Sequence, residues 1–171
     1  MKSVGSHLLT KIKVYSLVLA TLALCACGFR LRGDYLLAPE LQHIYLSSVD
    51  QYGELTQIVK RHLQHNQVTL AQQFSDKLPQ MRILKDKLDR RTLSVFPNGQ
   101  VAEYELIYTV RYQLIVTDQD TQHFKFEINR NYQDDPNLAL AKSRELALML
   151  SEMRKEAADR ILRSMASIHP S

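Results

Sequence analysis

The longest regular pattern in the chain runs through residues 104–117. Tyr104, Leu106, Tyr108, Val110, Tyr112, Leu114 and Val116 take every second position, and Glu105, Thr109, Arg111, Gln113 and Thr117 fall between them. A period of two predicts a β-strand with one covered face. Ile107 and Ile115 are exceptions on the polar side. After an Asp118-Gln119-Asp120-Thr121 turn the alternation resumes: Phe124, Phe126, Ile128, Arg130 and Tyr132 against His123, Lys125, Glu127, Asn129 and Asn131. This is a second strand beside the first. Upstream, Pro97-Asn98-Gly99 is a turn, because Pro fixes φ and Asn-Gly tolerates positive φ. It joins the long strand to an extended run from Met81 to Phe96. There the apolar parity changes, from Met81 and Ile83 to Leu84 and Leu88 and back to Leu93 and Val95. Such a phase change predicts a bulge or break near Lys85 to Arg91.

Two stretches carry the helical period instead. Leu55, Ile58, Val59, His62 and Leu63 form one stripe within Gly53 to Gln64, with Asn66 as a left-handed stop. Near the C-terminus, Leu146, Leu150, Met153, Ala157, Ile161, Met165 and Ile168 step by three or four. Asp135 is the candidate N-cap of that helix and Pro136 its first residue. Leu41 to Ser48, centred on Ile44, Tyr45 and Leu46, reads as one more strand. The order β-α-β-β-β-α predicts an α+β two-layer sandwich, two helices on a four-stranded, mostly antiparallel sheet.

The N-terminal residues follow another logic. Lys2, Lys11 and Lys13 precede an apolar run from Val14 to Leu24. The run is short of the roughly 20 residues a spanning helix needs but suits a secretory h-region. It ends in Leu24-Cys25-Ala26-Cys27, where Leu24 is too large for an A-x-A site. The segment resembles a bacterial lipobox, which implies cleavage before Cys27 and acylation of its thiol. Each buried CH₂ contributes about 0.8 kcal/mol, so several chains hold a protein on its membrane. Gly28 stands where, by the same resemblance, an Asp retains lipoproteins on the inner membrane; the expected location is the periplasmic face of the outer membrane. The division is then 1–26 signal peptide, 27–38 lipidated tether and 39–171 a single globular domain. Arg30 and Arg32 are either solvated tether charges or contacts to lipid phosphates.

Removing the leader changes the electrostatics. The full chain has 22 Lys and Arg, 18 Asp and Glu and a net charge of +4. Three of the basic residues and none of the acids leave with residues 1–26, so the remainder stands near +1. A general positive field for nucleic acid is excluded, and an anionic partner must be met by local clusters. Of two cysteines, Cys25 leaves and Cys27 is acylated, so no disulfide forms within the mature chain. The fold must rest on its apolar core.

Candidate chemistry is sparse. The chain has no Gly-rich phosphate loop, no G-x-S-x-G, no HExxH and no paired CxxC. His62 and His65 lie one turn apart but lack a third ligand at motif spacing and read as a surface pair. No cofactor and no metal are expected, and an enzyme is the weaker class. Lys85-Asp86-Lys87-Leu88-Asp89-Arg90-Arg91 reads first as a charged edge strand and alternatively as a phosphate-facing patch. The aromatic stripe Tyr104, Tyr108, Tyr112, Phe124 and Phe126 reads as sheet core rather than a stacking platform.

Three blocks then carry a resemblance. Cys27-Gly28-Phe29-Arg30-Leu31-Arg32-Gly33, Ser94 to Gln100 with Ala102-Glu103-Tyr104, and Asn137-Leu138-Ala139-Leu140-Ala141-Lys142 resemble, in order, the opening, the hairpin and the last helix start of the lipopolysaccharide-assembly lipoprotein family, LptE. The resemblance implies a non-enzymatic outer-membrane lipoprotein that plugs and helps assemble the LptD β-barrel and binds lipopolysaccharide. It places lipopolysaccharide contacts on basic residues near the hairpin and the last helix. Lys142 matches the helix position, whereas Pro97 stands where the family carries Arg, and Arg90, Arg91 or Arg144 would have to compensate. A cation near a helix N-terminus is disfavoured by the helix dipole, which leaves an anionic ligand or plain solvation to account for Lys142. The alternatives are a lipoprotein subunit of another envelope assembly or efflux machine, or a lipid-anchored envelope hydrolase.

Overall fold

The computed structural model describes residues 37–117 and 119–168. The lipobox, Cys27, and Arg30 and Arg32 of the tether lie outside these residues. A short 3₁₀ turn, Pro39–Gln42, leads into β1, His43–Ser48. Then come α1, Glu54–His65; β2, Thr69–Leu70; β3, Gln80–Val95; β4, Val101–Ile115; β5, Gln122–Gln133; a second 3₁₀ turn, Pro136–Leu138; and α2, Ala139–Ala166.

The sheet order is β2-β1-β3-β4-β5. β1 runs parallel to both β2 and β3, and β3, β4 and β5 form an antiparallel meander. The α+β sandwich is as expected, but the sheet has five strands and not four. The additional strand is two residues long, and Thr69-Leu70 pairs only with His43-Ile44. Two residues cannot display a period, so no pattern could mark it.

Three local features follow from named residues. α1 ends in a Schellman motif, with Val68 N–H donating to the Leu63 carbonyl and Gln67 N–H to that of Gln64, both at 3.0 Å. The left-handed residue is Gln67 at φ 62°, not the expected Asn66, whose φ is −87°. The buried Val68 closes the motif apolarly over Leu63, also buried. In β3 the register slips between Ile83 and Lys85, which is the bulge that the parity change predicted. At the β3–β4 tip, Gly99 N–H donates to Phe96 O at 2.8 Å and Phe96 N–H to Gln100 O at 2.7 Å, with Gly99 at φ 84°. That closes a tight turn through Pro97-Asn98, with glycine at the position that requires positive φ.

Both helices lie on one face of the sheet. Leu106, Tyr108, Val110, Tyr112 and Leu114 of β4 are buried there with Leu55, Val59 and Leu63 of α1 and Met153, Ala157 and Ile161 of α2. Tyr112 stacks on Phe124 at 4.7 Å and meets Phe126 edge-on. Tyr108 and Tyr112 of the aromatic stripe are therefore core under the helices, and Tyr104, Phe124 and Phe126 pack against it partly buried. The core also takes up Leu37. α2 is buried unevenly: its fully covered residues begin at Met153, while Leu140 and Leu148 are exposed. No helix among the described residues is long and apolar enough to cross a membrane.

Candidate functional site

The first turns of α2, the end of β5 and the β3–β4 hairpin converge at one end of the sheet. Asp134 N–H donates to Ala102 O at 2.9 Å, closing β5 against β4. Asp135 accepts from Asn137 N–H at 2.9 Å and caps the turn into α2. Tyr104 and Tyr132 are direct cross-strand partners on the helix face. Each carries a cation: the Arg90 guanidinium lies 5.9 Å from the Tyr104 ring centre and the Lys142 ammonium 5.1 Å from that of Tyr132. Such contacts contribute on the order of 0.5–1 kcal/mol each at exposed sites. Two adjacent rings thus hold two adjacent positive charges.

Lys142 is further fixed. Its Nζ bonds Glu145 at 2.8 Å, and its side chain is only 17% exposed. The hydrogen bond to Glu145 raises its pKa above the ordinary 10.5, so the charge persists through neutral and mildly alkaline pH. Tyr132, buried beneath it, has its own pKa raised, chiefly by burial, with the fields of Lys142 and Arg90 opposing. Apolar side chains rim the same end: Leu138 and Leu140 at the start of α2, and Val95 and Phe96 at the hairpin, are exposed. Cations over aromatic rings beside exposed hydrocarbon can receive an anionic headgroup and its alkyl chains together.

The structure separates the four predicted cations. Arg90 and Lys142 share the helix face, because the β3 bulge sets Arg90 opposite Leu106. Arg91 occupies the reverse face, where it forms an ion pair with Glu105. Arg144 is exposed on α2 two residues from Lys142, a spacing that points it to another side of the helix. The tyrosines beneath the cations are what sequence reasoning missed. Tyr104 belonged to a stripe read wholly as core, and it is only partly buried at the end of that stripe. His62 Nδ1 lies 3.1 Å from Asp159 of α2, and no group of three metal-binding side chains occurs among the described residues.

Comparison with known proteins places this architecture. The family model LptE: Lipopolysaccharide-assembly matches residues 41–165. The LPS-assembly lipoprotein LptE of Yersinia enterocolitica is 36% identical over 160 residues, covering 93% of this chain and 77% of its own. That of Photorhabdus laumondii is 33% identical, covering 93% and 87%. Among solved structures, rare lipoprotein B from Shewanella oneidensis superposes with a TM-score of 0.67 at 49% identity, covering 73% of this chain and 94% of its own. On the family match and the identity to these relatives, the chain belongs to the LptE family of lipopolysaccharide-assembly lipoproteins, which are not enzymes.

Proposed function

We propose that this chain works in lipopolysaccharide assembly as a lipoprotein of the outer membrane. Cys27 carries the lipid and holds the domain on the periplasmic face. The domain plugs and helps assemble the LptD barrel and receives lipopolysaccharide at the end of the sheet where Arg90 and Lys142 stand over Tyr104 and Tyr132. That pair of ring-seated cations beside exposed Leu138, Leu140 and Phe96 is the observation that carries the reading. A lipopolysaccharide presents phosphates and acyl chains together, and the site offers a surface to each. Arg144 is exposed on another side of α2 and stands outside the pair. Arg91, engaged by Glu105 on the reverse face, takes no part in this site.

Two measurements test it. Intact mass analysis of protein purified in mild detergent reports acyl chains on Cys27 and any copurifying LptD. Lipopolysaccharide binding by the lipidated chain is then compared with that of Lys142→Asp and Arg90→Asp. Both variants are expected to bind more weakly with the melting curve retained. Unchanged binding with unchanged melting excludes this end as the ligand site.

A further inference from the structure

The helices cover one face of the sheet; on the other, Phe74 of the β2–β3 connection meets Tyr45 of β1 edge-on at 5.7 Å, and the rows farther along β3, β4 and β5 carry charge. On that reverse face β3, β4 and β5 place three cations in one cross-strand row. Lys85 is in register with Arg111, and Arg111 with Lys125. Side chains so paired stand about 4.5–5.5 Å apart at Cβ, and like charges there repel. The bulge creates the row. Ile83 pairs with Tyr112 on the helix face, yet Lys85, two residues on, pairs with Arg111 on the opposite face. In a regular strand the two would share a side.

Local acids offset this charge only in part. Lys125 reaches Glu127 at 3.3 Å, and Asp89 is held by Lys87 at 2.5 Å. Lys85 and Arg111 form no ion pair among the described residues. A shallow depression of about 410 Å³ lies over the row, floored by Ile107 and Thr109 and bordered by Asp89 and Glu127. Ile107 is one of the two apolar residues that break the alternation of β4.

We infer that this face docks against an acidic stretch of an enclosing protein wall, with single carboxylates opposite Lys85, Arg111 and Lys125. The inference rests on the barrel-plug reading above. Charge complementarity identifies the occupant. A polyphosphate lying in the depression would meet Asp89 and Glu127 as well as the cations. Carboxylates set one per strand match the spacing of the cations, since strands of a facing sheet repeat at about 4.8 Å, the pitch of the row. The lumen of an outer-membrane barrel is polar and supplies such side chains. Ile107 provides the apolar contact that a protein surface uses and a headgroup does not.

The test uses the full lipidated chain in its native membrane, with a photoreactive benzoylphenylalanine at position 111. Irradiation is expected to link it to an Asp- or Glu-containing peptide of the barrel that copurifies in mild detergent. Arg111→Glu with Lys125→Glu is expected to lower recovered barrel about tenfold, while Arg61→Glu on the exposed side of α1 leaves it unchanged. Arg111→Gln, which relieves repulsion, is expected to fold at least as well as the parent and to lose barrel at lower salt. An adduct to glycolipid, an adduct to the N-terminal segment of the chain itself, or no adduct while the barrel still copurifies overturns the inference and leaves the plug reading standing. If the unmodified chain recovers no barrel, the plug reading fails and this inference with it.

Discussion

The phenol of Tyr132 donates a hydrogen bond to the main-chain carbonyl of Lys142 at 2.9 Å. One bond thereby ties the last turn of the meander to the first turn of α2, where that helix contributes no fully buried residue. Its ring meanwhile carries the ammonium of the same lysine. Tyr132 positions Lys142 through both its backbone and its charge.

Tyr132→Phe isolates the first of these roles, because the ring stays and the donor leaves. The loss expected is about 1 kcal/mol, the net worth of one intramolecular hydrogen bond, measured by chemical denaturation. Lipopolysaccharide binding should fall with it, because the helix start is less well held. Full stability together with full binding would show that the bond positions nothing.

Glu145→Gln tests the opposite constraint. The Glu145 hydrogen bond holds the Lys142 pKa above 10.5. A base raised in the folded state gives its contribution below the unfolded value and loses it only as pH climbs through the folded one. The ion pair is therefore complete at neutral pH, and it competes with any anionic ligand. Removing the carboxylate leaves Lys142 charged and available, so lipopolysaccharide binding is expected to tighten while melting at neutral pH barely moves. Lys142→Gln in the same background should cancel the gain.

How far the sequence foretold this arrangement differs by element. The alternation of β4 and β5 is legible because one face is covered far more than the other, and the covered apolar positions from Leu106 to Leu114 are those of the pattern, with Thr109 buried besides them. The bulge shows as a parity change, but its consequence does not. Which of Arg90 and Arg91 joins Lys142 depends on where the register slips, and only the pairing to Leu106 and Glu105 settles that. The row Lys85-Arg111-Lys125 is invisible for the same reason: its members lie on three strands and meet through register alone. β2 is too short to carry a signal, and the left-handed residue after α1 is Gln67, a type that composition does not single out.

Asp86 offers a pH test. It follows the bulge on the helix face with its side chain still reaching solvent, and partial desolvation by its neighbours raises its pKa above 3.8, with Asp50 and Glu54 adding to the rise and Tyr108 and Arg154 opposing it. A carboxyl raised in the folded state binds its proton more tightly there than in the unfolded chain. Its contribution to stability therefore falls as pH rises from 3.8 through the folded value. Asp86→Asn removes that loss. The variant is expected to melt above the parent at pH 7, with the difference shrinking to nothing as pH approaches 3.8. A variant that is less stable at pH 7 would show that the Arg154 charge, and not desolvation, dominates the site.

The uneven burial of α2 separates folding from function along one helix. Ala157 is completely buried on the stripe between Met153 and Ile161. Ala157→Leu is expected to cost about 1–3 kcal/mol by overpacking, seen as a lowered denaturation midpoint with an unchanged slope. Leu148, two and a half turns earlier, is 65% exposed. Leu148→Ala deletes little that the isolated domain uses, and surface substitutions of this kind stay within about 0.5 kcal/mol. An exposed leucine on the half of α2 that leads to Lys142 is instead expected to matter in the assembled state. Leu148→Ala should lower recovery of the barrel or of lipopolysaccharide from detergent extracts while leaving the denaturation curve in place. If both recoveries match the parent, the protruding half of α2 contacts neither, and its apolar side chains need another explanation.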